Sequence, residues 1–282
     1  MDIFSLNETE WIEYINDLEA RSKPSTKEEV KQALINAVKS RIPQEHFGIF
    51  FSGGVDSTLL AFICKQANAD FTCYAVGLED APDIIESKKV AEIICLELKQ
   101  KTFTLEEAHE LFKRSAKIFE KPDTLNIGVG GVIIAATELA KEDNVTIFMG
   151  GLGSEEIFAG YQRHLDAKDP HAECWNGLKN MWQRDFVRDV TIAKALGITV
   201  LCPFLDKDLI IKSMGIPADK KINKEFKKII LREIAEELGL PKEFAWRPKK
   251  AAQYGSYFDK ALIKLAKKSS LDKVDFVEKL KK

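Results

Sequence analysis

The stretch His46-Phe47-Gly48-Ile49-Phe50-Phe51-Ser52-Gly53-Gly54-Val55-Asp56-Ser57 decides how the rest of the chain is read. Its apolar run stops at two glycines, which predicts a buried strand feeding a tight turn. Ser57 to Gln66 then carries helical patterning. A strand, a Ser-Gly-Gly turn and a helix form an anion site by construction. The glycines permit positive φ and close backbone approach, and the helix start offers unpaired N–H groups and the positive end of its dipole. Ser52, Ser57 and Thr58 add hydroxyl donors. Neither GxxxxGK(S/T) nor GxGxxG occurs here, so a Walker loop and a dinucleotide fold are both disfavoured.

Upstream, Lys27 to Arg41 places Val30, Leu34, Ala37 and Val38 at helical spacing, with Thr26 set to cap the start and Pro43 ending the run. Downstream, Phe71 to Leu78 reads as a second buried strand, Lys101 to Thr104 as a short one and Val145 to Met149 as a further apolar one ending in glycines. Helices are predicted over Ile84 to Leu98, Glu106 to Glu120 and Gly131 to Lys141. Apolar strands alternating with helices predict an α/β fold, a parallel sheet covered by helices on both faces. Ligands in such sheets bind beyond the carboxyl ends of the strands, which singles out the loops after Phe51 and after Met149. From about Asp166 the pattern turns mostly helical, as in Asn176 to Leu196 and Glu225 to Leu238. The expected divisions are an N-terminal helical segment over 1–45 packing on the core, a main domain over 46–260, and a lysine-rich helical tail over 261–282 read as a solvated amphipathic helix.

A net charge of −2 gives no global footprint for nucleic acid or an anionic membrane. No run approaches the roughly 20 apolar residues that span a bilayer, and the N-terminus lacks the pattern of a secretory signal. The five cysteines are scattered without a CxxC pair, so reduced thiols, a cytoplasmic location and no zinc or iron–sulfur site are expected.

Strand, SGGxDS and helix in that order resemble the pyrophosphate loop of the N-type ATP pyrophosphatases (PP-loop), which implies an adenine-nucleotide α-hydrolase-like fold. Further segments are similar to the synthetase domain of asparagine synthetases. They are Tyr74-Ala75-Val76-Gly77-Leu78 with Pro82-Asp83, the loop Gly150-Gly151-Leu152-Gly153-Ser154-Glu155-Glu156-Ile157-Phe158-Ala159-Gly160-Tyr161, Arg188-Asp189 with Pro203-Phe204-Leu205-Asp206, Lys228-Ile229-Ile230-Leu231-Arg232, and Arg247-Pro248-Lys249-Lys250. The resemblance runs from about Thr26 to Gly255 without a glutaminase domain. It implies an AMP- and pyrophosphate-forming carbon–nitrogen ligase that adenylates a carboxylate, aspartate by default, for amide formation with ammonia or another amine. ATP and Mg2+ are the implied cofactors. Asp56 and Glu155 would hold magnesium, and Lys249, Lys228 and Glu155 carry the catalytic roles. Phe51, Ser52, Gly53, Gly54, Asp56, Ser57, Val76, Gly150 and Gly151 would bind ATP and pyrophosphate. Expected partners are a small carboxylate acceptor and an amine donor, with a separate glutaminase subunit and a homodimer left open, and neither membrane nor nucleic acid.

Two departures from the family touch the acceptor. Its SGEG glutamate is Leu152 here, and the arginine of its TxRxSTP segment is Gly128, within Asn126-Ile127-Gly128-Val129-Gly130-Gly131-Val132. The glycines suggest a roomier or less charged acceptor pocket. Glu155 replaces a metal-binding aspartate. Asp206 and Arg188 fit structural ion pairs as well as catalysis, and Tyr161 fits core or pocket. Two other readings stay open, an RNA-modifying PP-loop enzyme and a nucleotide-binding regulatory subunit with reduced catalysis.

Overall fold

The computed structural model describes residues 3–248 and 251–281. Five parallel strands form one sheet in the order β3-β2-β1-β4-β5. They are β1 (Phe47–Phe50), β2 (Phe71–Leu78), β3 (Leu98–Phe103), β4 (Ile147–Met149) and β5 (Thr199–Leu201). Side chains alternate across the sheet. Phe47, Ile49, Phe51, Cys73 and Met149 enter one core, while Phe50, Tyr74, Val76 and Phe148 enter the other. Both faces are therefore covered, as the apolar strands predict.

On the first face α1 (Glu8–Arg21), α2 (Lys27–Lys39) and α3 (Val55–Gln66) pack through Trp11, Ile15, Leu18, Val30, Leu34 and Leu59. Thr26 caps α2 as expected: its side chain accepts from the Glu29 N–H while Glu29 returns a bond to the Thr26 N–H. Helix α4 (Pro82–Ile93) follows β2. On the second face lie α5 (Leu105–Ile118) and α6 (Thr124–Ala140). Helix α6 starts two turns earlier than the sequence reading and runs through Gly128, Gly130 and Gly131. A Cβ at Gly128 would meet Gln253 at 3.2 Å, and one at Gly131 would meet Phe112 and Phe258 at 3.1 Å. The space these glycines vacate is filled by neighbouring helices, so it is not room in a pocket.

Beyond β4 the chain forms α7 (Ser154–Ile157), α8 (Gln162–Asp166), α9 (Pro170–Lys179) and α10 (Val187–Leu196). The expected single helix over Asn176 to Leu196 is thus two, joined by a π-helical stretch at Trp182–Phe186. Then come β5, α11 (Lys207–Met214), α12 (Ile229–Glu237), α13 (Lys242–Ala245), α14 (Ala252–Gly255), α15 (Phe258–Lys268) and α16 (Lys273–Leu280). The segment read as a solvated tail, 261–282, buries Ala261, Leu262, Leu265, Phe276 and Val277 against α5 and α6.

The strand order places the switch point between β1 and β4, where the chain leaves β1 toward β2 and leaves β4 toward β5. Gly48 pairs with Phe148 and Ile49 with Met149 across it. The loops after both strands border the crevice there, the place where open α/β sheets bind ligands.

Candidate active site

The turn after β1 is built as the sequence predicts. Gly53 takes φ +65°, and a Cβ there would meet the backbone of Glu86 and Ser87 at 2.9 Å, so glycine is required for conformation and for space. Ser52 and Ser57 tie the turn together: the Ser52 N–H donates to Ser57 Oγ and Ser57 Oγ donates to the Gly54 carbonyl, both at 3.3 Å. The N-cap of α3 is Gly54, with no side chain bonded to the helix start. Its first-turn N–H groups and dipole are therefore left to a ligand.

Asp56 lies in that first turn and is 2% exposed. Its carboxylate meets Lys228 Nζ at 2.8 and 2.9 Å. The same ammonium donates to Ser154 Oγ at 3.0 Å and pairs with Glu155 at 2.8 Å. Loops from β1, from β4 and before α12 thus converge on one buried cation. Lys228, expected from the resemblance to be catalytic, stands in a polar run of lysines, yet it is 3% exposed. Its backbone supplies the reason. Lys228 adopts φ +57° at the N-cap of α12, turning its side chain inward. The preceding segment is folded back on itself by the Ile222–Lys227 bridge. Arg232 clamps the arrangement, donating from Nε to the Lys227 carbonyl at 2.7 Å and from Nη1 to the carbonyls of Ala245 at 2.7 Å and Arg247 at 3.0 Å.

A cleft of about 450 Å³ opens over this cluster. Of the expected ATP-site residues, Phe51, Ser52, Asp56, Ser57, Val76 and Gly151 line it, as does Glu155, expected to be catalytic and metal-binding. Gly53 and Gly54 support the turn from behind. Gly150 also stays out of the cleft: its N–H bonds to the Leu201 carbonyl at 2.9 Å, continuing the ladder to β5. Lys228 lines an adjoining pocket of about 330 Å³ that shares Glu155 and Tyr161 with the cleft. Lys249 lies outside the described residues.

Leu152, Tyr161, Arg163, Arg184, Asp185 and Arg188 also line the cleft. Arg184 Nε donates to Asp185 at 2.8 Å, and its Nη2 pairs with Glu156. Arg188 pairs with Asp185 at 3.3 Å and with Asp189 at 2.6 Å. The Arg163 guanidinium lies 4.0 Å from the centre of the Tyr161 ring, and that of Arg184 lies 5.5 Å from it. Burial pushes the Glu156 carboxyl up to about 7, against the pull of Arg184. His164 is fully buried, accepts the Tyr161 N–H at Nδ1, and is pushed down to about 3 by burial and then by the Arg163 and Arg184 charges. Glu155 and Glu156, adjacent in sequence, thus divide: one faces the Lys228 cluster and the other anchors the arginine wall.

Asp206 is structural: it pairs with Arg41 at 2.9 Å and caps α11. Asp185, Arg184, Arg163 and Arg232 were not singled out by sequence as cleft or clamp residues. The spacing Arg184-Asp185-x-x-Arg188-Asp189 carries a signal, acid–base pairs one helical turn apart.

Among the described residues no group of three or more His, Cys, Asp or Glu side chains is placed to hold a metal. Asp56 and Glu155 nevertheless offer two hard carboxylates converging on one positive point. That donor set suits Mg2+, which binds through one or two carboxylates together with substrate phosphates. No described helix is long and apolar enough to cross a membrane.

A five-stranded parallel sheet with a Gly-Gly anion turn at its switch point defines an α/β protein whose ligand site lies at the strand carboxyl ends. The chain belongs to the asparagine synthase family, whose model matches residues 29–175 and 165–277. A Methanocaldococcus jannaschii protein provisionally named an asparagine synthetase (glutamine-hydrolyzing) is 31% identical over 95% of this chain and 57% of its own length. The mouse asparagine synthetase (glutamine-hydrolyzing) is 32% identical over 78% of this chain and 42% of its own. The chain therefore spans about half the length of these curated relatives. A solved NMN synthetase from Francisella tularensis aligns with 91% of this chain and 93% of its own at 14% identity, with a TM-score of 0.46.

Proposed function

We propose that this protein is an ATP-dependent, AMP- and pyrophosphate-forming ligase that adenylates a small carboxylate and passes the acyl group to ammonia or another amine. The observation that carries the reading is the convergence of Asp56, Ser154 and Glu155 on Lys228 at the switch point, in a chain of the asparagine synthase family.

The triphosphate would lie on the turn Ser52 to Ser57 and the start of α3, with the adenine against the Phe51 and Val76 backbone. A carboxylate oxygen of the acceptor attacks the α-phosphorus near Gly151, and the bond to the bridging oxygen breaks to release pyrophosphate. The amine nitrogen then attacks the acyl carbon, AMP leaves and the nitrogen loses a proton. Lys228 stabilises charge gathering on the leaving pyrophosphate, as does Lys249 in the family pattern. Such chemistry is mainly positioning and charge neutralisation. Mg2+ would be held by Asp56 and Glu155 and would neutralise phosphate charge. In this reading the physiological nitrogen source is free ammonia, an amine or a separate glutaminase subunit.

The test is acid-dependent release of AMP and pyrophosphate across small carboxylic acids with ammonium, together with exchange of labelled pyrophosphate into ATP. Equimolar AMP and pyrophosphate are expected. Release of ADP and phosphate, or no turnover with any acid by a folded protein, would refute the assignment.

A further inference from the structure

The arginine wall has chemistry that an adenylating site alone does not call for. Resting on the ligase reading, we infer that the acceptor is a small dicarboxylic acid without an α-ammonium group, its second carboxylate held by Arg184 and Arg188.

Three observations meet here. First, both guanidiniums are fixed by acids, buried Asp185 and half-buried Asp189, yet keep one amino group each outside those pairs. Asp185 takes Arg184 through Nε and Nη2 and Arg188 through Nη1, while Asp189 takes Arg188 through Nε. Among the described residues, Arg184 Nη1 and Arg188 Nη2 have no hydrogen bond or ion pair, and both arginines line the cleft. Two preorganised guanidiniums suit a planar carboxylate.

Second, among the described residues the carboxylates that line the cleft are each engaged by another group. Both oxygens of Asp185 are engaged by arginine. Glu155 and Asp56 are joined to Lys228, the Asp83 carboxylate lies against Gly255, and Leu152 lines the cleft next to Gly151 in sequence. An α-ammonium would face a leucine and two cations, an uncompensated charge in a partly desolvated site.

Third, the cleft has an apolar stretch contributed by α6. Leu125, Val129 and Val132 of α6 line it, where they would pack on the methylene chain between two carboxylates.

The experiment compares succinate, glutarate, L-aspartate and butyrate as acceptors in pyrophosphate release, with the wild-type chain and with Arg184→Gln and Arg188→Gln. The expected result is a higher kcat/KM for succinate or glutarate than for L-aspartate or butyrate. Either substitution should raise KM for the favoured diacid on the order of 10- to 100-fold, with KM for ATP little changed and circular dichroism intact. Preference for L-aspartate, equal use of butyrate, or a diacid KM indifferent to both substitutions would overturn the inference. If no acid releases pyrophosphate, the ligase reading falls, and calorimetric titration of succinate against butyrate still decides the diacid site. Tighter succinate binding that Arg184→Gln abolishes upholds it, and equal binding overturns it.

Discussion

The geometry around Lys228 leaves one neighbouring position with almost no freedom. A Cβ at Gly160 would collide with Glu155 Oε2 and Lys228 Cε, inside any tolerable contact distance. Gly160→Ala must therefore displace the carboxylate or the ammonium. Overpacking of this kind costs about 1–3 kcal/mol of stability. Its effect on rate should be larger, a fall on the order of 100-fold in kcat for pyrophosphate release, because misplacement near 1 Å at a reacting centre is enough for that. Gly150→Ala is the contrasting case: its Cβ would meet Val200 at 3.6 Å and Phe50 at 3.8 Å. Because both distances are ordinary van der Waals contacts, and although Phe50 itself lines the cleft, it should retain near-wild-type turnover. Steady-state rates for both variants check the pair, and equal loss in the two would refute the placement. The residues of the anion turn were legible in the sequence because strand, glycine and helix signals are local. The burial of Lys228 was not, because it depends on a positive φ and on an arginine clamp that ties the Lys227 carbonyl to those of Ala245 and Arg247.

At the scale of the element, α8 and the π-helical stretch build the arginine wall from buried titratable groups, and this gives the protein a specific acid sensitivity. His164 is held near 3 in the fold, whereas an unfolded histidine titrates near its usual value of 6.5. Between these values the unfolded chain binds more protons than the native one. Stability from this residue is therefore present above about 6.5 and is lost as pH falls toward 3, by at most about 1.4 kcal/mol per pH unit. Glu156 acts oppositely, since its raised pKa lowers stability as pH rises from about 4.5 to 7. Comparing wild type with His164→Asn separates the two. Asparagine can still accept the Tyr161 N–H but cannot titrate. The variant should be less stable at neutral pH through lost packing, yet show a shallower decline from pH 6.5 to 4.5 in urea-unfolding free energy. Parallel curves would refute the account. The break between α9 and α10 that positions this wall was hidden because apolar residues continue at helical spacing through Trp182 and Phe186, so the pattern reads as one helix. β5 escaped notice for a different reason: three residues on a sheet edge, Thr199 exposed among them, carry too little pattern.

At the scale of the whole molecule, the sheet divides the interior into two cores, and the second is closed by the C-terminal helices. Phe258 packs edge-on to Phe103 and Phe112, with ring centres 6.2 and 5.6 Å apart. Just before it, the Ser256 carbonyl accepts the Leu78 N–H at 2.9 Å, tying the C-terminal part to the end of β2. Gln253, from the same segment, lines the cleft and fills the space above Gly128. The lysine-rich composition that suggests a solvated tail describes only the outer faces of α15 and α16; their inner faces are apolar and buried. Two variants distinguish a closing element from an appendage. Phe258→Ala should cost about 3–5 kcal/mol, the range for emptying a buried aromatic site. Truncation after Ser256 should abolish a single cooperative urea transition, since it exposes Phe103, Phe112 and the small-residue face of α6 together. An appendage would predict an unchanged midpoint for the truncated chain. Far-UV circular dichroism across a urea series decides between them, and because the same segment reaches both Gly128 and the cleft, lost closure should also be read as weakened ATP-analogue binding.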